Sequence, residues 1–225
     1  MQGTIAPVSI TAETAGEPFA LQQLGPFGSA AQTQLVLFVF TTTLSGAVSL
    51  IEARRLGVTR RMIATPTTVR AVLLGEGLAR LAIALIQGLF IMVGTMVIFG
   101  VDWGNPLRAI VILVVFSLVA TGAAMLLGSL ARNDQQAGGL ATLFGLGLAA
   151  LGGAMFPLAA TEILSPVVWR VAHVTPHAWA LEAFEALVVA KGGLTEVLPF
   201  LGILLAYALL FFALAICRLR VVLTR

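Results

Sequence analysis

Long apolar runs constrain this chain more than any other feature of its sequence, because each run could cross a lipid bilayer. An α-helix needs about 20 apolar residues to span the hydrocarbon core. Hydrophobic residues make up 59% of the chain and charged residues only 10%, whereas soluble domains carry roughly 25% charged residues. The sequence therefore predicts an all-α, polytopic membrane protein with five transmembrane helices. The predicted spans cover residues 32–51, 78–100, 107–131, 137–157 and 197–217.

The longest polar interruption of these runs is Glu52–Gly75, which we call the basic loop. It carries five of the 13 Lys and Arg residues. Pro66 is incompatible with a continuous helix. The loop is therefore predicted to hold a short amphipathic helix at residues 56–64, then a turn at residues 65–66 and a second helix from about Thr67.

The distribution of basic residues predicts the orientation of the spans. If the basic loop is cytoplasmic, ten of the 13 basic residues lie inside, and only Arg108, Arg170 and Lys191 lie outside. Lys and Arg accumulate in cytoplasmic loops. We therefore expect the N-terminus outside and the C-terminus inside a bacterial or archaeal cytoplasmic membrane. The basic residues sit at the ends of apolar runs, so the net charge of +3 does not indicate a nucleic-acid partner.

The remaining connections are predicted from composition. Residues 1–31 lack Lys and Arg and show no sustained periodicity, which predicts an extended external tail or short cap before a transmembrane domain at 32–225. The absence of a positive n-region argues against a signal peptide. Residues 101–106 are predicted to form a tight external turn with Trp103 at the membrane interface, and residues 132–136 a short cytoplasmic turn.

A polar and proline-interrupted segment precedes the last span. Residues 158–195 are too polar to cross the membrane, and they are predicted to form two short helices at 163–174 and 177–190. Such helices beside a span form a re-entrant or surface-lying hairpin, here predicted on the external side. The residues that mark this hairpin are Pro157, Pro176, Trp179 and Glu182.

The sequence contains no motif for catalysis or for binding a nucleotide phosphate, so we expect neither an enzyme nor a directly bound cofactor. His173 and His177, with Glu182 nearby, have a spacing that could serve a metal. The chain has only two His residues, however, and Pro176 distorts the turn between them, so hydrogen bonds to helix ends are the favoured interpretation. Glu182 and Glu185 are expected on a solvated outer face rather than as an acid pair.

Small residues recur on the fourth predicted span. Gly145, Ala149 and Gly153 fall at positions i, i+4 and i+8, which lets another helix approach closely. The favoured interpretation is packing inside one subunit, and contact with a second subunit is the alternative.

Two acidic residues, Glu52 and Glu76, lie where the basic loop meets the adjacent spans. An acid at this depth usually pairs with a nearby Arg, here Arg54, Arg55 or Arg80. Such pairs would stiffen the loop, although simple interfacial charges are an equal alternative. Arg80 is expected to extend its side chain to the membrane interface.

Two ordered motifs resemble those of ABC-2 type exporter permeases. In the basic loop, the E-x-R-x-x-G pattern with following basic residues and a proline is carried by Glu52, Arg54-Arg55, Gly57, Thr59, Arg60-Arg61, Pro66 and Gly75. The later G-G-x-x-F-P stretch at 152–157, followed by Pro176, Trp179 and Ala183, is similar to the region before the last span of that family. The resemblance covers about residues 32–220.

This resemblance implies a specific role for the basic loop. In the family the loop forms a coupling helix that docks on an ABC ATPase subunit, so ATP would be bound by that partner. The residues expected to contact it are Glu52, Arg54, Arg55, Gly57, Arg60, Arg61 and Pro66. The chain would then be the permease subunit of an exporter of hydrophobic or amphiphilic cargo, such as a drug, an antibiotic or a lipid, and would assemble as a homodimer or heterodimer.

The number of spans differs from the family pattern. Family members usually have six spans, and here residues 1–31 look like the external segment that follows a missing first span. A shortened form or a fragment is therefore expected. The alternative function is a non-transporting fragment or regulatory membrane subunit that binds a full-length permease.

Overall fold

A computed structural model describes residues 19–64, 66, 68–155, 166–188 and 194–223. All regular secondary structure in these ranges is helical, which confirms the predicted fold class. The helices are α1 (Phe19–Ser45), α2 (Ala47–Arg55), α3 (Val58–Ile63), α4 (Val69–Phe99), α5 (Pro106–Leu130), α6 (Asp134–Leu151), α7 (Pro166–Ala172), α8 (Pro176–Val188) and α9 (Leu194–Leu223).

Four segments of the described chain are long and apolar enough to cross a membrane. They are Phe27–Ala53, which includes parts of α1 and α2, Ala71–Phe99, Pro106–Leu130 and Thr195–Arg218. The fourth predicted span corresponds to α6, an 18-residue helix that ends at Leu151 and begins with three polar residues. Because α6 is not among the four segments, a fifth span stays a prediction.

Helix α1 begins at Phe19, well before the predicted start of the first span. Residues 19–31 are therefore helical and not the extended tail that their composition suggested. The aromatic ring of Phe27 stacks on Phe99 at the end of α4, with ring centroids 5.3 Å apart. This contact anchors the early turns of α1 against a neighbouring helix, which periodicity alone could not show. Residues 1–18 lie outside the described residues.

Helix α5 lies at the centre of the bundle and contacts α1, α4, α8 and α9. Its span is 67% buried, compared with 17% for the span in α4 and 22% for that in α9. The first span, formed by α1 and α2, runs parallel to α5, because Phe40 of α1 lies near Phe116 and Leu50 of α2 lies near Gly128, further along α5. The outer faces of α4 and α9 are thus left to lipid or to a partner.

The turn between α4 and α5 has the predicted tight geometry. Gly100 ends α4 with a φ of 65°, the Asp102 carboxylate accepts a hydrogen bond from the Gly104 amide, and Asn105 caps α5. The Trp103 ring is buried and packs edge-on against Phe184 of α8, with centroids 5.5 Å apart. The ring therefore fastens this turn to α8, and its place at the membrane interface stays a prediction.

Candidate functional site

The basic loop forms a helix–turn–helix at one end of the bundle. Gly57, with a φ of 70°, separates α2 from α3, a conformation that favours glycine. Pro66 lies in a turn after α3, and Thr68 caps α4 by accepting a hydrogen bond from the Ala71 amide at 3.2 Å. The predicted short helix, the turn after it and the second helix are confirmed, although α3 spans only Val58–Ile63.

Most of the predicted contact residues lie on accessible parts of this loop. The side chains of Glu52, Arg55, Arg61 and Pro66 are exposed. Residues 54 and 60 lie within α2 and α3, and their side chains are outside the described residues. The loop therefore presents a mixed surface, in which these charged side chains lie among exposed apolar ones, those of Leu56, Val58 and Met62.

Arg55 joins the basic loop to α6. Its Nη1 donates to Oδ2 of Asp134 at 2.9 Å. The side chain of Arg55 is 70% exposed and that of Asp134 is 28% exposed, so the pair adds little stability but fixes the end of α2 beside the start of α6. Arg55, one of the three arginines named as candidate partners of Glu52 and Glu76, therefore bonds Asp134 instead, and the pairing of Glu52 stays a prediction. Asp134 was missed as a functional residue, although its place in the turn at the same end of the bundle offered a signal.

Arg80 is buried inside the bundle instead of reaching the membrane interface, which corrects the sequence-based expectation. Its side chain is 5% exposed and pairs with Glu76, one helical turn earlier, at 2.5 Å. The pairing of Glu76 with Arg80 is thereby confirmed. The guanidinium also donates to the carbonyl of Gly46, which lies between α1 and α2, at 2.9 Å. The two helices on either side of the basic loop are therefore linked by this side chain.

The stripe of small residues on α6 packs inside the subunit. Gly145 is buried against Thr41 of α1, where an added Cβ would lie 3.0 Å from the Thr41 Cγ2, and Ala149 is fully buried. Gly153 lies beyond the end of the helix, with a φ of 85°, so the predicted three-residue stripe is wrong at this position. The favoured interpretation of intrasubunit packing holds for Gly145 and Ala149.

The hairpin α7–α8 lies in the half of the bundle away from the basic loop, where Phe184 of α8 contacts Trp103 in the turn after α4. Pro166 begins α7 and Pro176 begins α8, close to the predicted helices, whereas Pro157 and residues 163–165 lie outside the described residues. Tyr207 of α9 donates a hydrogen bond to the carbonyl of Val174, between the two short helices, at 2.8 Å. The predicted hairpin is thus attached directly to the last long helix.

His173 holds the two helices of the hairpin together. Its Nδ1 lies 2.8 Å from the carbonyl oxygen of Trp169, and its Nε2 lies 2.5 Å from Oε1 of Glu182. The Trp179 indole donates to the His173 carbonyl at 2.8 Å. His173 therefore bonds a helix end as predicted, whereas Glu182 is a bonded, partly buried residue and not part of a solvated face. Within the described ranges, no cluster of three or more metal-ligating side chains occurs.

His177 occupies a fully buried position between α1 and α5. Its ring packs edge-on against Phe40 and Phe116, with centroid distances of 4.4 and 5.8 Å. Neither ring nitrogen has a hydrogen-bond partner among the described residues, so the predicted bond to a helix end is wrong. Burial lowers the pKa of His177 to about 3, and the ring is neutral at physiological pH.

The position of His177 decides between the two forms of hairpin that the sequence allowed. Phe40 and Phe116 both lie well inside apolar spans. The start of α8 must therefore insert between these spans, which favours a re-entrant hairpin over one that lies on the surface. Gly152 makes this insertion possible, because a Cβ at that position would collide with Thr175 and His177.

Comparison with known proteins agrees with this architecture. The sequence model described as ABC-2 family transporter protein matches residues 7–217. The chain belongs to the ABC-2 family of transporter proteins. With its apolar spanning helices, this ABC-2 protein is a multi-pass membrane protein.

One curated relative gives a more specific comparison. The linearmycin resistance permease protein LnrN of Bacillus subtilis (strain 168) is 28% identical over 185 residues, which cover 82% of this chain and 47% of LnrN. The chain therefore spans about half the length of this relative. No solved structure shows a significant match to the chain.

Proposed function

We propose that this chain is the membrane-spanning permease subunit of an ABC exporter, driven by ATP that a separate ABC ATPase subunit hydrolyses. The observation that carries the proposal is the construction of the basic loop. It exposes arginines among apolar side chains, and Arg55 and Arg80 bond its flanking helices to other parts of the bundle. A partner that displaces this loop would therefore displace helices that cross the membrane.

The partner's contact surface is expected to include the loop residues named from the sequence. Arg61 and Glu52 are accessible, and the positions of Arg54 and Arg60 on the same short helices add basic charge. Gly57 and Pro66 set the shape of the loop at the two ends of α3. A complementary acidic groove on an ATPase subunit would recognise such a surface.

The proposed cargo is a hydrophobic or amphiphilic compound, such as an antibiotic or a lipid. The name of LnrN describes resistance to linearmycin, and export is a direct route to resistance. Two permease subunits, identical or different, would form the transport path, with the basic loop in the cytoplasm and the hairpin outside. This orientation is supported by the excess of basic residues at the loop end.

The test is charge reversal on α3. We expect Arg60→Glu combined with Arg61→Glu to abolish co-purification of the ATPase subunit, because acidic side chains would repel the proposed acidic groove. Membrane insertion should be unchanged, as judged by the yield of folded protein in detergent. Arg170→Glu, an exposed arginine on the hairpin, is the matched control and should retain the ATPase. Normal ATPase recovery with the double variant would refute the coupling role.

A second candidate is a regulatory membrane subunit that binds a full-length permease. The chain's alignment to less than half of LnrN keeps this alternative in consideration. Co-purification separates the two functions, because a regulator should recover a longer permease as its principal partner, whereas a permease subunit should recover the ATPase directly.

A further inference from the structure

A break in the helical backbone lies just before the basic loop. Helix α1 ends at Ser45 and α2 begins at Ala47, although both belong to one apolar span, Phe27–Ala53. At the break, the Gly46 amide is shared between two carbonyl oxygens, those of Thr42 at 3.2 Å and Thr43 at 3.1 Å. Backbone carbonyls at such a break bond to donors of the protein, because lipid provides none. The Gly46 carbonyl accepts a bond from a neighbouring helix.

Arg80 of α4 supplies that donor. Its Nη2 lies 2.9 Å from the Gly46 carbonyl and 3.4 Å from the Ser49 hydroxyl, and its Nη1 bonds to the carbonyl and carboxylate of Glu76. The hydroxyl of Ser49 donates to the same Gly46 carbonyl at 2.8 Å. One guanidinium therefore bonds α4 on one side and the α1–α2 break on the other.

A buried arginine in a spanning helix is costly, and its retention usually marks a function. The ion pair with Glu76 neutralises the charge of Arg80. Both residues belong to α4, however, so this pair cannot account for the contact with α1 and α2. Among the hydrogen bonds of the described residues, Nη2 of Arg80 makes the contact between helices. A lysine could not reproduce this arrangement, because its single ammonium lacks the two-sided fork of a guanidinium.

We infer that Arg80 is a positioning residue that holds α2 and the start of α4, the two helices flanking the basic loop, as one body. We call the bond from Arg80 to the Gly46 carbonyl the clamp. Without this clamp the backbone can bend at Gly46, and a displacement of the loop is absorbed there before it reaches α1. The clamp itself is independent of the proposed function, whereas its purpose in transmitting ATPase motion rests on that function.

The fold should survive removal of the clamp, because other contacts hold α2 in place. Gly128 of α5 lies close enough to Leu50 that an added Cβ would be 2.8 Å from the Leu50 Cδ2. Helix α2 also packs on α6. The loss of Arg80 should therefore change the freedom of α2 relative to α4 more than the overall stability.

Spin labelling tests this inference without an ATPase or a cargo. The chain has one cysteine, Cys217, so Cys217→Ser provides a cysteine-free background. Labels at Glu52→Cys on α2 and Leu74→Cys on α4, both exposed positions, report the distance between the two helices in lipid nanodiscs by double electron–electron resonance. We expect one narrow distance distribution with Arg80 and a broader one with Arg80→Gln.

Two further variants make the result decisive. Arg80→Lys keeps a positive charge beside Glu76, so the protein should still insert into the membrane. It should nevertheless broaden the distance distribution, because a lysine lacks the two-sided guanidinium. Arg132→Gln removes an exposed arginine at the same end of the bundle and should leave the distribution unchanged. Distributions of equal width for the parent, Arg80→Gln and Arg80→Lys would overturn the inference. Because no partner is present, that outcome is separate from failure of the charge-reversal test on α3.

Discussion

At the scale of single residues, His177 shows how an ionisable side chain can form part of the buried core. Its ring is fully buried against two phenylalanines, and its nitrogens have no hydrogen-bond partner in the described part of the chain. Unsatisfied buried polar groups are rare and costly. An imidazole at this position is tolerated because it stays neutral, so its burial should make the docking of the hairpin sensitive to acid.

The first prediction concerns this sensitivity. The His177 pKa is about 3 in the folded protein and 6.5 in the unfolded chain, so between these values the unfolded state binds more protons. Stability should therefore fall as the pH drops below 6.5, by up to about 1.4 kcal/mol per pH unit for one such group. We expect His177→Phe, which keeps an aromatic ring against Phe40 and Phe116, to lose this dependence.

Thermal unfolding of the purified protein in detergent at pH 7 and pH 5 measures the effect. His173 is present in both proteins, so the difference between them isolates His177. An equal loss of thermal midpoint on acidification for the parent and His177→Phe would contradict the assignment.

At the scale of helices, the packing of α6 on α1 depends on the absence of a side chain. Gly145 brings the α6 backbone against Thr41, whose Cα would lie 3.5 Å from an added Cβ. Gly147, two residues later on the same helix, faces open space, with no atom within 4 Å of an added Cβ. The two glycines thus provide a matched pair for testing helix contact.

The second prediction is that Gly145→Leu separates α6 from α1, whereas Gly147→Leu does not. Insertion of a large side chain into a packed contact costs roughly 1–3 kcal/mol, and the thermal midpoint should fall for Gly145→Leu alone. A similar fall for both variants would indicate a general intolerance of leucine and would contradict the specific contact with α1.

At the scale of the whole molecule, the basic loop and the α7–α8 hairpin lie in opposite halves of a bundle centred on α5. The end that holds the basic loop also holds the turn before α6, as the Arg55–Asp134 pair shows. The other end holds the turn after α4, which Trp103 fastens to α8. A displacement of the basic loop could therefore reach the hairpin only through the long helices between them.

The third prediction is the orientation of this bundle. In a Cys217→Ser background, Glu52→Cys should be protected from a membrane-impermeant maleimide added to intact cells, and Asp102→Cys in the exposed turn after α4 should react. Both positions should react after the membrane is opened. Labelling of Glu52→Cys in intact cells would place the basic loop outside and exclude contact with a cytoplasmic ATPase.

The sequence alone determined the features that depend on local chemistry. Apolar runs in lipid leave the helix as the conformation that satisfies every backbone group, so the long helices were predictable from composition. The break at Pro66, the turn at Gly100–Pro106 and the two short helices before the last span followed from the restricted or permissive backbones of proline and glycine.

Only the tertiary structure decided which polar groups meet across helices. Arg80 bonds Gly46, Arg55 bonds Asp134, and His177 lies between Phe40 and Phe116 without a partner in the described chain. Local periodicity places each of these side chains on a helix face but leaves the rotation and depth of the neighbouring helix undetermined. Those quantities are set by close packing of many side chains at once, which is why the clamp at Gly46 was not visible in the order of the residues.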